Sequence, residues 1–230
     1  MGTAVAGLLE QQADIRLIGG VEAFGHPRLG MPLGKGAVVS ELRTLIADAD
    51  AIVEFGPIEA ALEHLVLAVE RHTPLVLGTT GFQFGQMQEI ERLARSTPVV
   101  YAPNFSAGIA VLTRIATEAA RQLGAGYDCE IVEMHHRHKK DAPSGTAKKL
   151  AEALGKAGEK SVTIHSVRVG DIVGDHTVVL AAEGERLELA HKATSRAAFA
   201  QGVLRAIRFV VGKPNGLYSI DDVLGLMTRP

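Results

Sequence analysis

Between residues 51 and 101 the chain alternates two kinds of segment, and this alternation limits the fold more than any other feature. The apolar run Ala51-Ile52-Val53-Glu54-Phe55 is followed by Gly56-Pro57 and then by Ile58, Ala61, Leu62, Leu65, Val66 and Val69 at helical spacing. A second short run, Pro74 to Leu77, precedes another helical pattern through Met87, Ile90, Leu93 and Ala94, and a third, Val99-Val100-Tyr101, closes the stretch. Consecutive short strands joined by a helix run parallel, and the helices cover the sheet. The expectation is therefore α/β, with right-handed crossovers. Ligands of open α/β sheets bind at the carboxyl ends of the strands. That makes Gly78-Thr79-Thr80-Gly81 and Ala102-Pro103-Asn104-Phe105-Ser106 candidate ligand loops, since glycine permits close backbone approach and hydroxyl groups offer hydrogen bonds. As a four-residue motif, Gly78 to Gly81 reads equally as an ordinary turn.

The flanking segments extend this reading. Val5, Leu8 and Leu9 mark a helix within Ala4 to Gln11, and Ile15 to Val21 reads as a parallel-type strand with Glu22 at its tip. Gly25 to Gly36 is rich in Gly and Pro and reads as a surface loop carrying His26, Arg28 and Lys35. Ile109, Leu112, Ala116, Ala119 and Leu123 predict a long helix ended by Gly124 and Gly126. Beyond it come a strand through Cys129-Glu130-Ile131-Val132 and a β-rich stretch, Val162 to Val169, Thr177 to Ala182 and Arg186 to Lys192, in which His165, His176 and His191 read as structural. A last long helix runs from Ser195 to Val211, with Phe199, Val203, Ile207 and Val210 on its buried side, and is stopped by Gly212 and Pro214.

Composition excludes several function classes. A net charge of −2 and a pI near 6.5 give no electrostatic footprint for nucleic acid, and a chain without Trp has little with which to stack bases. Cys129 stands alone, so no internal disulfide forms and a reducing compartment is expected. No secretory leader or membrane-length apolar run is evident, which makes a cytoplasmic protein with no membrane partner the expectation.

The chemistry concentrates in Glu133 to Lys149, Glu-Met-His-His-Arg-His-Lys-Lys-Asp-Ala-Pro-Ser-Gly-Thr-Ala-Lys-Lys. This segment leaves a strand and enters a helix with Ala147, Leu150, Ala151 and Leu154 on one face. Pro143 and Ser144 are helix-start residues, and the amides of Gly145 and Thr146 then lie at the positive end of the helix, which favours an anion. Three histidines, Arg137, Lys139 and Lys140 surround that end. Fixed positive charge together with imidazoles that exchange protons near neutrality suits acid catalysis on a carboxylate-bearing substrate. Capping of the helix and a solvated basic face explain the same residues without chemistry. With one cysteine and no zinc-type spacing, no metal is expected.

Glu133 to Ala147 fits, without a gap, the signature Glu-x-His-His-x-x-Lys-x-Asp-Ala-Pro-Ser-Gly-Thr-Ala, and here the chain resembles the 4-hydroxy-tetrahydrodipicolinate (dihydrodipicolinate) reductases of lysine and diaminopimelate biosynthesis. The resemblance implies His135 as proton donor with Lys139 as its catalytic partner, and His136, Gly145 and Thr146 as substrate-carboxylate ligands. Gly78-Thr79-Thr80-Gly81 and Ala102-Pro103-Asn104-Phe105-Ser106 resemble the family's nicotinamide-side segments, which implies cofactor contacts at Gly78, Thr79, Thr80, Ala102, Pro103, Asn104 and Phe105. Glu22 stands where an acid takes the adenosine ribose hydroxyl. Because Ala23 rather than Arg follows it, NADH is expected over NADPH, with His26, Arg28 and Lys35 available to a 2′-phosphate.

The implied architecture is a Rossmann-like dinucleotide-binding domain, residues 1–106 and 213–230, with a second α+β domain, residues 107–212, for substrate binding and homotetramer assembly. The segment Gly216 to Met227 is expected to return to the first domain. One departure stands out: family members begin with a strand and a Gly-x-x-Gly-x-Met-Gly loop, whereas this sequence opens at what resembles the closing Met-Gly. A sheet lacking an inner strand leaves backbone groups unpaired, so the expectation is a true start upstream of Met1. The alternative function is a non-catalytic or regulatory homologue that binds a dicarboxylate but no dinucleotide.

Overall fold

A computed structural model describes residues 1–158 and 161–226. The chain divides into two compact units, one formed by Met1–Phe105 together with the chain from Phe199 onward, the other by Ser106–Ala198.

The first unit begins with α1 (Gly2–Leu9) and the short strands β1 (Gly20–Val21), β2 (Pro32–Leu33) and β3 (Gly36–Val39). It continues through two 3-10 turns into β4 (Ile52–Glu54), α2 (Ile58–Arg71), β5 (Leu75–Leu77), α3 (Phe84–Ala94) and β6 (Pro98–Tyr101). Four strands form a wholly parallel sheet in the order β11-β6-β5-β4, β11 being Gly216–Tyr218. Strand side chains alternate between faces. Leu75, Leu77 and Val99 pack with Ala61, Leu65, Ala68, Ile90 and Leu93 of α2 and α3. Val76 and Val100 point the other way, into a core shared with Val5 and Leu9 of α1 and with Val203, Ala206 and Val210 of α6 (Ala197–Val210). The result is a helix–sheet–helix sandwich. Each fully buried aliphatic side chain in it contributes about 1.5–3 kcal/mol.

Three features differ from the sequence reading. The strand expected over Ile15 to Val21 forms ladder pairs only at Gly20 and Val21, parallel to Val38 and Val39. Its earlier part meets the segment expected to be a plain surface loop, which instead folds back as the β2–β3 hairpin, with Lys35 N–H donating to the Leu17 carbonyl at 2.8 Å. Side-chain-free residues make this approach possible: a Cβ on Gly34 would lie 2.2 Å from the Leu17 carbonyl oxygen, and one on Gly36 2.0 Å from that of Ile18. The sheet β1-β3-β2 and the four-stranded sheet are separate, so β1 and β4 each lie at an edge. Finally, α6 falls within the second domain expected over residues 107–212, but from Phe199 it belongs to the first unit, because its apolar stripe completes the core under Val76 and Val100. The returning tail contributes β11 and α7 (Ile220–Leu224), with Ser219 and Asp222 forming a capping box; Met227 lies outside the described residues.

The second unit contains α4 (Ala107–Leu123), β7 (Asp128–His135), α5 (Gly145–Lys156), β8 (Val162–Arg168), β9 (Gly174–Ala182) and β10 (Glu185–Ala193). Its sheet has the order β10-β9-β7-β8, parallel only between β7 and β8. Cys129, Ile131, Val178 and Leu180 face Ile109, Leu112 and Ala116 of α4 and Ala147, Leu150 and Leu154 of α5. The residues between them, including Val132, Val167 and Val179, therefore lie on the sheet's other face.

Candidate active site

Strand periodicity builds the centre of the site. Along β7 the buried face carries Cys129, Ile131, Glu133 and His135, so the apolar face becomes ionisable as the strand approaches the loop. Two residues apart on one face, Glu133 and His135 meet: His135 Nδ1 lies 2.5 Å from Glu133 Oε2. In the parallel register Glu133 pairs with Ser166 and His135 with Arg168, which brings Arg168 onto the same carboxylate in a two-pronged bond, Nη1 to Oε2 at 2.9 Å and Nη2 to Oε1 at 2.7 Å. Ser144 N–H adds a donor to Oε1 at 3.2 Å. Glu133 has no solvent exposure. Burial opposes its charge, but hydrogen bonds from Arg168, Ser166, His135 and the Ser144 amide hold its pKa down to about 2.

The same donors organise the helix tip. Ser144 caps α5, its hydroxyl accepting from Ala147 N–H at 3.2 Å and meeting His176 Nε2 at 3.2 Å. His176 stands opposite Glu133 on β9, and its ring contacts that of His135 edge-on, centroids 5.3 Å apart. Burial, reinforced by the neighbouring His135, pushes His176 down to about 4, so it is neutral near pH 7. His135 is also shifted down: burial lowers it, Glu133 raises it, and the charges of Lys139 and Arg168 lower it. Arg168 Nη2 further donates to the Asp141 carbonyl at 2.6 Å, which ties down the loop. Lys139 Nζ donates to Asp141 Oδ1 at 2.8 Å and holds that carboxyl below its usual range.

Of the residues expected to bind substrate, His136 follows β7 directly and its ring lies 6.3 Å from that of His138, while Gly145 and Thr146 are the first two residues of α5. The structure thus gathers His135 and the tip of α5 around one carboxylate, while the charge of Lys139 helps to lower the pKa of His135. Sequence reasoning did not assign roles to Glu133, Arg168 and His176. The alternation along β7 was a visible signal for Glu133; the other two arrive through strand register.

The expected cofactor residues gather in the first unit. Glu54, Leu77 and Tyr101 are in register, so the loops after β4, β5 and β6 leave one end of the sheet. Thr79 Oγ1 donates to the Gly56 carbonyl at 2.9 Å and joins two of these loops, and a Cβ on Gly78 would lie 2.1 Å from the Phe55 ring, so a larger residue there must displace that ring. Thr80 is exposed, Pro103 and Asn104 are half-buried, and Ala102 and Phe105 are buried. At this end of the sheet Glu54 is satisfied by Gly56 N–H and His64, which leaves neutral hydroxyl, amide and backbone groups at the surface. Glu22 follows β1 half-buried, 3.9 Å from His26. The first turn of α1 has no side-chain cap and no acidic residue, and Arg28 reaches Thr3 Oγ1 there at 3.2 Å. A positive helix end with an arginine beside it fits a pyrophosphate, and the neutral loops fit a nicotinamide riboside. The loops after β4, β5 and β6 therefore fit the nicotinamide end of a dinucleotide, with Arg28 and the start of α1 the only groups described for its phosphates. Among the described residues no group of three or more His, Cys, Asp or Glu is arranged to hold a metal, and no helix is long and apolar enough to cross a membrane.

Comparison with known proteins bears on both units. Residues 1–105 match the family model "Dihydrodipicolinate reductase, N-terminus" and residues 108–224 match "Dihydrodipicolinate reductase, C-terminus". The 4-hydroxy-tetrahydrodipicolinate reductase of Syntrophus aciditrophicus is 41% identical, with 98% of this chain and 94% of that protein covered. That of Anaeromyxobacter dehalogenans (strain 2CP-1) is 42% identical over the same shares. The alignment with the Syntrophus protein runs over 253 positions, more than the 230 residues of this chain, so that relative carries segments with no counterpart here. Among solved structures, a dipicolinate-bound dihydrodipicolinate reductase from Paenisporosarcina sp. TG-14 superposes with a TM-score of 0.82 at 26% identity, covering 95% of this chain and 92% of that one. The parallel first unit is accordingly Rossmann-like, and the chain belongs to the dihydrodipicolinate reductase family.

Proposed function

We propose that this chain reduces 4-hydroxy-tetrahydrodipicolinate to tetrahydrodipicolinate in the diaminopimelate route to lysine, with His135 as proton donor and with Lys139, His136, Gly145 and Thr146 holding the substrate carboxylates. The observation that carries this reading is the His135 centre: an imidazole anchored on a buried carboxylate that also holds the tip of α5. A dipicolinate-bound relative supports a small dicarboxylate as the ligand. Membership of a reductase family with a Rossmann-like unit implies a nicotinamide dinucleotide, which when bound supplies the hydride.

The chain's own residues bind, orient and protonate. Lys139 is held by the exposed carboxyl of Asp141, a partner that a substrate carboxylate can replace. His135 Nε2 would release its proton to the substrate as hydride arrives, and removing such an acid costs about a hundredfold or more in rate. Cofactor contacts are assigned to Glu22, Gly78, Thr79, Thr80, Ala102, Pro103, Asn104 and Phe105, with NADH preferred because a carboxylate at Glu22 suits a free ribose hydroxyl. The half-open sheet face bearing Val132, Val167 and Val179 supports assembly of the second unit into a homotetramer.

Steady-state kinetics with NADH and 4-hydroxy-tetrahydrodipicolinate test the assignment. His135→Gln is expected to lower kcat about a hundredfold or more with KM little changed, and Lys139→Ala to damage both constants. Wild-type turnover in both variants would refute it.

A further inference from the structure

We propose that Glu133, clamped by Arg168, is the positioning residue of this site: it fixes which nitrogen of His135 delivers the proton and locks that imidazole to the helix tip that receives the substrate. The proposal rests on the reading of His135 as proton donor and adds residues to which nothing above assigns a role in the reaction.

Three observations carry it. The first is donor and acceptor chemistry. Arg168 has only donors and the Ser144 amide is a donor, so a carboxylate receiving both must be ionised, and an ionised carboxylate can only accept. His135 Nδ1, at 2.5 Å, therefore carries the hydrogen, and Nε2 is left as the nitrogen that gains and loses the catalytic proton. The second is space. A Cβ at Gly174 would lie 3.0 Å from Nε2, so β9 begins with a residue that leaves the working nitrogen uncrowded. The third is shared anchoring. The same carboxylate oxygen that meets Arg168 Nη2 also holds Ser144 N–H, and Ser144 caps the helix whose first residues are Gly145 and Thr146. One side chain thus sets both the direction of the acid and the position of the carboxylate socket relative to it, which is what a near-attack geometry requires. A buried arginine–carboxylate pair is weak evidence for added stability, because desolvation offsets the attraction, so a geometric role accounts for it better.

The groups facing His135 are Glu133 on its own strand, Arg168 from β8, His176 from β9 and Lys139 from the loop. Among them Glu133 alone favours the charged imidazole. Removing its charge must lower the pH at which the acid is lost.

Nitrogen-15 NMR of the histidine side chains in the intact wild-type chain reads the tautomer directly. Above its titration His135 is expected as the Nδ1–H form, and an Nε2–H form would overturn the proposal whatever the substrate. Kinetics supply the second arm. Glu133→Gln should lower kcat about a hundredfold with KM within a few fold, move the basic limb of the kcat–pH profile to lower pH, and be partly rescued in Glu133→Asp. In a His135→Gln background the same change should cost little more, because the two residues act as one unit. Additive losses, or an unmoved pH limb, would reduce Glu133 to a scaffold residue and overturn the proposal while leaving His135 as the acid. Wild-type turnover in His135→Gln alone would remove the reading beneath it. Should Glu133→Gln fail to fold, Arg168→Lys, which keeps the charge and loses the fork, is expected to give the same pattern in weaker form.

Discussion

Gly202→Ala sets helix propensity against packing. In an ordinary helix interior, Ala in place of Gly adds about 1 kcal/mol of stability. Gly202 lies in α6, and a Cβ there would sit 1.6 Å from the Phe105 carbonyl oxygen and 2.7 Å from its carbon, where ordinary contacts begin near 3.4 Å. The obstacle is backbone, which cannot rotate away, so either α6 or the segment ending at Phe105 must move by more than an ångström. Overpacking of this kind costs about 3 kcal/mol, the upper part of the usual range. The net loss is then about 2 kcal/mol, and for a chain of this size about 2–4 °C of Tm accompanies each kcal/mol, so a fall of about 4–8 °C is expected. Gly7→Ala is the internal reference. Gly7 is also helical, in α1, but a Cβ there meets nothing within 4 Å; its Tm should rise by about 2–4 °C. Differential scanning calorimetry on the two variants and the wild type decides the matter. If Gly202→Ala melts at or above the wild-type temperature, the close approach of α6 to Phe105 is wrong, and with it the packing that supports the Ala102–Phe105 loop.

Acid stability follows from the two most shifted groups. His176 has a folded pKa of about 4 against 6.5 unfolded, so its contribution is complete above about pH 6.5 and is lost as pH falls from 6.5 towards 4. Glu133, at about 2 against 4.5, adds a second loss between pH 4.5 and 2. Thermal melts should be flattest above pH 6.5, and His176→Gln should reduce the slope between pH 6.5 and 4; an unchanged slope would show that His176 is not buried as described. Cofactor choice is tested by kcat/KM, expected to favour NADH over NADPH at least about tenfold, a ratio that Glu22→Ala should narrow. A preference for NADPH in the wild type would dismiss Glu22 as the ribose acceptor, and loss of that preference in Arg28→Ala would assign the 2′-phosphate to Arg28.

Much of the architecture is legible in the order of residues because it depends on local periodicity. The alternation at 51–101 requires a parallel sheet covered by helices, and β4, α2, β5, α3 and β6 follow it closely. The run from Glu133 to Ala147 announces a basic, histidine-rich loop at a helix start, since strand end, cap and positive charge all lie within one short stretch. What local pattern cannot express is which backbone approaches which. Gly34 and Gly36 looked like loop punctuation, yet they are the places where a hairpin packs on Leu17 and Ile18. The helix over Ala197–Val210 has an unmistakable apolar stripe, but only the core it completes determines the unit to which it belongs. Arg168 is an unremarkable strand cation in the sequence and becomes a clamp because parallel pairing of β8 with β7 sets it beside His135. The sequence by itself determined the alternating strands and helices of residues 51–101 and the histidine-rich signature that leads into α5. The tertiary structure decided the surroundings of His135, because the bonds from Arg168 to Glu133, between residues 35 positions apart, exist only once strand register is set.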